Sequence, residues 1–74
     1  MYTITFVFSD KREEDYEHIE KVEYQDFGGK NSVSGDEIFT YKFPLSYDFH
    51  LFSKNKSYII SPQGLVKIEV TKED

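Results

Sequence analysis

"DKREEDYEHIEK", residues 10–21, is the stretch whose reading decides the fold. Two patterns compete in it. Asp10 and Glu13 stand at capping-box spacing, Glu17 and Lys21 form an i,i+4 pair of opposite charge, and Tyr16, Ile19 and Val22 recur every third residue. A short helix over about 11–21 satisfies all of these. A hairpin is the other reading, and it rests on an internal echo. "TFVFSDK" (5–11) followed by "IEKVEY" (19–24) resembles "FHLFSKNK" (49–56) followed by "LVKIEV" (65–70), and "NKSYIISPQ" (55–63), the counterpart of the ambiguous stretch, is extended in character. The hairpin is adopted. It makes the chain mainly β, a small antiparallel structure of five or six strands in one domain over 1–74, a barrel-like or sandwich-like meander; the helix would make it α+β.

Composition agrees with strands. Seven Phe, six Tyr, six Ile and five Val stand against three Leu, with no Ala and no Trp, so the residues that suit a pleated surface are plentiful and the best helix former is missing. Tyr2, Ile4, Phe6 and Phe8 alternate with Thr3, Thr5 and Val7, the period of a strand with one buried face. Similar alternation runs through Val22 and Tyr24, through Phe39, Tyr41 and Phe43, through Tyr47, Phe49 and Leu51, and through Val66, Ile68 and Val70; "SYIIS" (57–61) adds a short strand. Turns are expected at 54–56 and at "SPQG" (61–64), with Pro62 and Gly64 at positions i+1 and i+3 of a type I turn. The last three strands then read as a meander, and Pro44 as a bend or sheet edge. "YQDFGGKNSVSGDE" (24–37) lies between the two echoing halves, and its Gly/Ser-rich part at about 27–37 reads as a flexible connector.

That connector also has to be tested for chemistry. A phosphate loop needs Gly-x-x-x-x-Gly-Lys followed by Ser or Thr, and here Tyr24 holds the first glycine position while Asn31 follows Gly29-Lys30. A calcium loop counted from Asp26 places Glu37 at position 12 and Val33 at position 8, but Gly28, Lys30 and Asn31 occupy positions that need two oxygen ligands and the turn glycine. Both motifs fail. Asp26-Phe27-Gly28 and Ser53-Lys54-Asn55-Lys56 are fragments of kinase and penicillin-binding signatures without the other parts. Asp48 and His50 sit i,i+2 and could share a cation, yet Phe52 takes the next position on that face; an imidazole at the core edge is the plainer expectation. With no cysteine there is no thiolate chemistry. No catalytic residue, metal site or cofactor is expected, and no enzyme activity.

Charge is the remaining signal. Residues 10–26 carry eight acids against Lys11, Arg12 and Lys21, whereas 27–74 carry six acids and six lysines, so the whole net charge of −5 lies in one segment. Nucleic acid and anionic membranes would be repelled there. The expected function is a non-catalytic protein–protein contact, as an accessory or inhibitor domain, made by Asp10, Glu13, Glu14, Asp15, Glu17, Glu20 and Glu23 against a basic surface, or by an exposed sheet edge that could also give a homodimer. The alternative is single-stranded nucleic-acid binding on an aromatic sheet face, but Tyr2, Phe6, Phe8, Phe39, Phe43 and Phe49 are expected in the core, because only fourteen Ile, Val and Leu residues are available to fill it. No apolar run approaches the roughly 18 residues of a membrane span, and the start at Met1 shows no secretory pattern. A cytoplasmic location is therefore expected. A single Arg, no Ala and abundant Lys, Ile, Phe and Tyr are what AT-rich codons produce, which points to a low-GC bacterium or to a phage or mobile element within one.

Overall fold

All residues, 1–74, are described by a computed structural model. The deciding stretch is extended: β1 (Tyr2–Phe8) turns back into β2 (Glu13–Ile19), and the two pair antiparallel. In the turn, Lys11 N–H donates to the Phe8 carbonyl and Phe8 N–H to the Arg12 carbonyl, both at 2.9 Å, with Lys11 at φ 71°. A turn closed by one left-handed residue is a common hairpin link. Asp10, which the helix reading uses as a cap, accepts a hydrogen bond from Arg12 N–H at 3.0 Å and so closes this turn instead.

The three-residue spacing of Tyr16, Ile19 and Val22 has a different origin from a helix. The β1–β2 register steps from Ile4↔Tyr16 to Tyr2↔Ile19, with His18 at φ 61°, so two residues of β2 oppose Thr3 in a bulge. The bulge brings Tyr16 and Ile19 to one side of the sheet. β3 (Lys21–Asp26) then begins a single residue later, in the other sheet, so that Ile19 and Val22 are both buried. Bulge and corner together imitate a helical period in extended chain.

β3 pairs with β4 (Gly29–Ser34) across the turn at Phe27-Gly28, and on its other side with β5 (Phe49–Phe52), which pairs with β6 (Ser57–Ile60). β7 (Leu65–Lys72) returns to β1. The result is two antiparallel sheets, β2-β1-β7 and β4-β3-β5-β6, seven strands in all. Their connectivity repeats. Each hairpin, β1-β2 and β5-β6, takes as its third partner the strand that follows the other hairpin, β7 beside β1 and β3 beside β5. The sequence echo thus has a topological counterpart, although its matched phenylalanines face differently: Phe8 is buried, while Phe52 alternates with buried Leu51 onto the outer face.

Several segments differ from the sequence reading. Most of the connector expected at 27–37 is β4, paired with β3 from Lys21↔Ser34 to Asp26↔Gly29. As an edge strand it buries only Val33, so its pattern is nearly all polar. Residues 39–43 form no strand: α1 (Glu37–Thr40) is one helical turn anchored by fully buried Ile38, and Phe39 is 45% exposed rather than core. The last three strands are no meander, because β7 pairs with β1 and not with β6. Tyr47 and Asp48 precede β5 instead of belonging to it. The turn before β7 slides by one residue, with Leu65 N–H donating to the Pro62 carbonyl at 2.9 Å and Gly64 at φ 81°, the left-handed third position.

Both inner faces supply the core. Ile4 and Phe6 of β1 face Val22 of β3 and Phe49 and Leu51 of β5, all at most 1% exposed. The Phe6 and Phe49 rings lie 5.9 Å apart, and Phe43 meets Phe49 edge-on at the same distance. The single short helix is neither long nor apolar enough to cross a membrane.

Gly64→Ala tests the turn. A Cβ there would meet Ser9 Oγ at 3.5 Å, an ordinary contact, so only the left-handed backbone is strained. A loss of about 1–2 kcal/mol in urea unfolding is expected, and an unchanged midpoint would contradict the positive φ.

Candidate functional site

The seven acids expected to act together are divided by the strand period and the corner. Glu13 pairs with Val7 and Asp15 with Thr5, which puts both side chains, with Glu17 two residues on, on the outward face of β2-β1-β7. Val7 in turn faces Lys67, and Thr5 faces Glu69. Four carboxylates and one lysine therefore share this face. Thr5 Oγ1 donates to Asp15 Oδ1 at 2.6 Å, fixing that carboxylate, and Lys67 Nζ lies 3.0 Å from Glu69 Oε2. Glu69 was invisible as a member in sequence, because only the return of β7 to β1 brings it there.

The other acids point elsewhere. Asp10 closes the turn. Glu14 lies on the opposite side of β2, where it accepts from the Tyr16 hydroxyl at 2.8 Å and meets Arg12 Nε at 3.5 Å; burial, then this bond, pushes the Tyr16 pKa up to about 12. Glu20 occupies the corner. Glu23 sits on the outer face of the four-stranded sheet between Lys30 at 3.2 Å and Lys21 at 3.3 Å. Desolvation raises the Glu23 pKa, but the two lysines outweigh it and hold the carboxyl below its ordinary value. Its charge is locally neutralised.

A row of side chains crosses that second face, Ser32, Glu23, His50 and Ile59, one from each strand. Beside it an open cleft of about 660 Å³ is lined by Lys30, Tyr47, Asp48 and His50. Asp48 and His50 share no hydrogen bond. The His50 ring packs 4.1 Å from Phe52, over which Lys21 Nζ lies at 4.5 Å, and His50 Nε2 is buried without a partner. Glu23 also lines the cleft, but its carboxylate is paired with Lys21 and Lys30, and no three His, Cys, Asp or Glu side chains gather closely enough to hold a metal ion.

The outward acidic face is held in shape by a residue that the sequence reading passed over. Glu73, just beyond β7, accepts from His18 N–H at 2.7 Å and Thr3 Oγ1 at 2.9 Å, and pairs with His18 Nδ1 at 2.9 Å. It spans all three strands and grips the bulge. The His18 N–H, above all, draws the Glu73 pKa down to about 2, assisted by the His18 ring and Thr3 and opposed by desolvation. Nothing but an acid at a strand end marks Glu73 in sequence.

Comparison with protein-family models, with curated proteins and with solved structures found no match.

Because the Glu73 carboxyl is more acidic when folded than its ordinary 4.5, its contribution to stability is complete above pH 4.5 and disappears as pH falls toward about 2. Glu73→Gln is expected to lower the thermal midpoint at pH 7 and to flatten the loss of stability between pH 4.5 and 2. Parallel pH profiles for variant and parent would exclude the clasp.

Proposed function

We propose that this is a non-catalytic interaction domain that lays the outward face of its three-stranded sheet on a basic surface of another protein, as an accessory or inhibitor. The observation that carries this reading is the convergence of Glu13, Asp15, Glu17 and Glu69 on one face with a single lysine. Such a face accelerates encounter with a complementary partner and makes binding salt-dependent. β2 is also an edge strand. Its ladder with β1 runs through Phe8–Arg12, so the alternate residues Glu13, Asp15 and Glu17 turn their peptide groups to solvent, where an extended partner segment could pair.

A second reading, stacking of single-stranded nucleic acid, draws support from the His50–Phe52 pair beside Lys21 and Lys30. It is the weaker of the two. Tyr2, Phe6, Phe8, Tyr24 and Phe49 are spent on the core, and both lysines are paired with Glu23.

Capture from lysate separates these readings from an inert surface. At roughly 0.2–1 kcal/mol for each exposed ion pair, replacing Glu13 and Glu17 by Gln and Asp15 by Asn is expected to weaken retention about tenfold at low salt. High salt should release the parent. Retention unaffected by either change would refute the acidic contact, and binding of labelled oligonucleotides at low salt would favour the second reading.

A further inference from the structure

β7 pairs with β1 on one side only, and no backbone group of the chain bonds to its other side. One hydrogen bond fixes the direction of its peptide groups. Glu73 N–H donates to the Met1 carbonyl at 3.2 Å, in the same register that runs from Tyr2↔Lys72 to Val7↔Lys67. By the alternation of an antiparallel ladder, Thr71, Glu69 and Lys67 turn their backbone groups toward β1, and Ile68, Val70 and Lys72 turn theirs outward, while Val66 lies in a bulge where the register steps from Val7↔Lys67 to Phe8↔Leu65. From Lys67 to Lys72 this edge is regular and is a template for another strand. The remaining edges are less suited: β2 would set acid against acid, β6 has four residues, and β4 buries one apolar side chain.

We propose that the edge is occupied by a second copy of the chain, with the two β7 strands antiparallel about a two-fold axis through Ile68. The charges favour this register over its two neighbours. An axis through Lys67 or Glu69 also lets the outward peptide groups meet, but it sets lysine against lysine or glutamate against glutamate. Centred on Ile68, Lys67 of each copy faces Glu69 of the other, and Val70 comes beside the partner's bulge at Val66. The Lys67 and Glu69 positions are then the non-hydrogen-bonded pairs, where side chains approach most closely. Each residue meets the same complement from both sides, as a two-fold interface requires. Apolar surface lies along the same edge: Val66, Phe39 and Leu45 are 52%, 45% and 39% exposed on a groove that also includes Tyr41 and Phe43. Pairing makes one six-stranded sheet with both acidic faces on the same side, Glu13, Asp15 and Glu17 on the outermost strands and Glu69 at the seam. This assembly rests on the β7 edge and not on the acidic residues of β2, although Glu69 and Lys67 belong to both surfaces.

Sedimentation equilibrium and light scattering on the intact chain test it. The parent is expected to approach twice the 8.8 kDa chain mass as concentration rises into the high micromolar range. Lys67→Glu and Glu69→Lys, each alone, should shift the dissociation constant upward at least tenfold, while the double exchange K67E/E69K should restore it. An equimolar mixture of the two single variants should form a mixed dimer, which also shows that both are folded. A parent that keeps single-chain mass throughout overturns the proposal. So does a dimer indifferent to Lys67→Glu, which would use another surface.

Discussion

The chain leaves one sheet and enters the other at a single residue, Glu20, and the rest of the structure depends on that corner. Glu20 N–H donates to the Phe52 carbonyl at 2.8 Å, and its own carbonyl accepts from Gly35 N–H at 3.4 Å. The corner residue is thus tied to the end of β5 and to the segment after β4. The bulge at His18 supplies the added twist that such a turn between sheets requires. Once β2 and β3 are committed to different sheets, Ile19 and Val22 point into the same interior, and Phe6 can meet Phe49 across it. A chain without disulfides depends chiefly on this side-chain packing, beside the few hydrogen bonds of the corner, to join its layers.

Glu73 links that corner to the far end of the sequence. Its carboxylate receives donors from β1 and from the bulge, so the last strand, the first strand and the bend are held by one group. The left-handed His18 costs backbone energy, and the short bond from its N–H to a charged acceptor offsets part of it. The same clasp orders the end of the face that carries Asp15 and Glu17. Fold and candidate surface therefore share one support.

The mainly β class was legible because alternation in β1, β3 and β7 is strong and alanine is absent. β4 was hidden because an edge strand needs little apolar surface, and Gly29, Ser32 and Ser34 carry the composition of a loop. Phe39, Tyr41 and Phe43 deceived in the opposite sense: their alternation is real, but Ile38 takes the buried place and Phe39 is left outside. The run of acids was legible as charge and illegible as a surface. A strand sends neighbours to opposite faces, so Glu14 parts from Glu13 and Asp15, and the corner carries Glu23 away to Lys21 and Lys30.

The four edge strands show how that same alternation governs association. In β2 the residues with solvent-facing peptide groups are Glu13, Asp15 and Glu17, so a second β2 meets repulsion while a basic strand does not. In β7 the residues with solvent-facing peptide groups are Ile68, Val70 and Lys72, and the charged residues flanking Ile68 have opposite sign at a spacing of two. A strand with Lys and Glu at i and i+2 is its own electrostatic complement when reversed, since the reversal exchanges the two positions. Like charges at those positions would have made β7 as self-repelling as β2. In the proposed dimer, the sequence difference between a self-repelling edge and a self-complementary one is then the sign of one residue, at 67 or at 69.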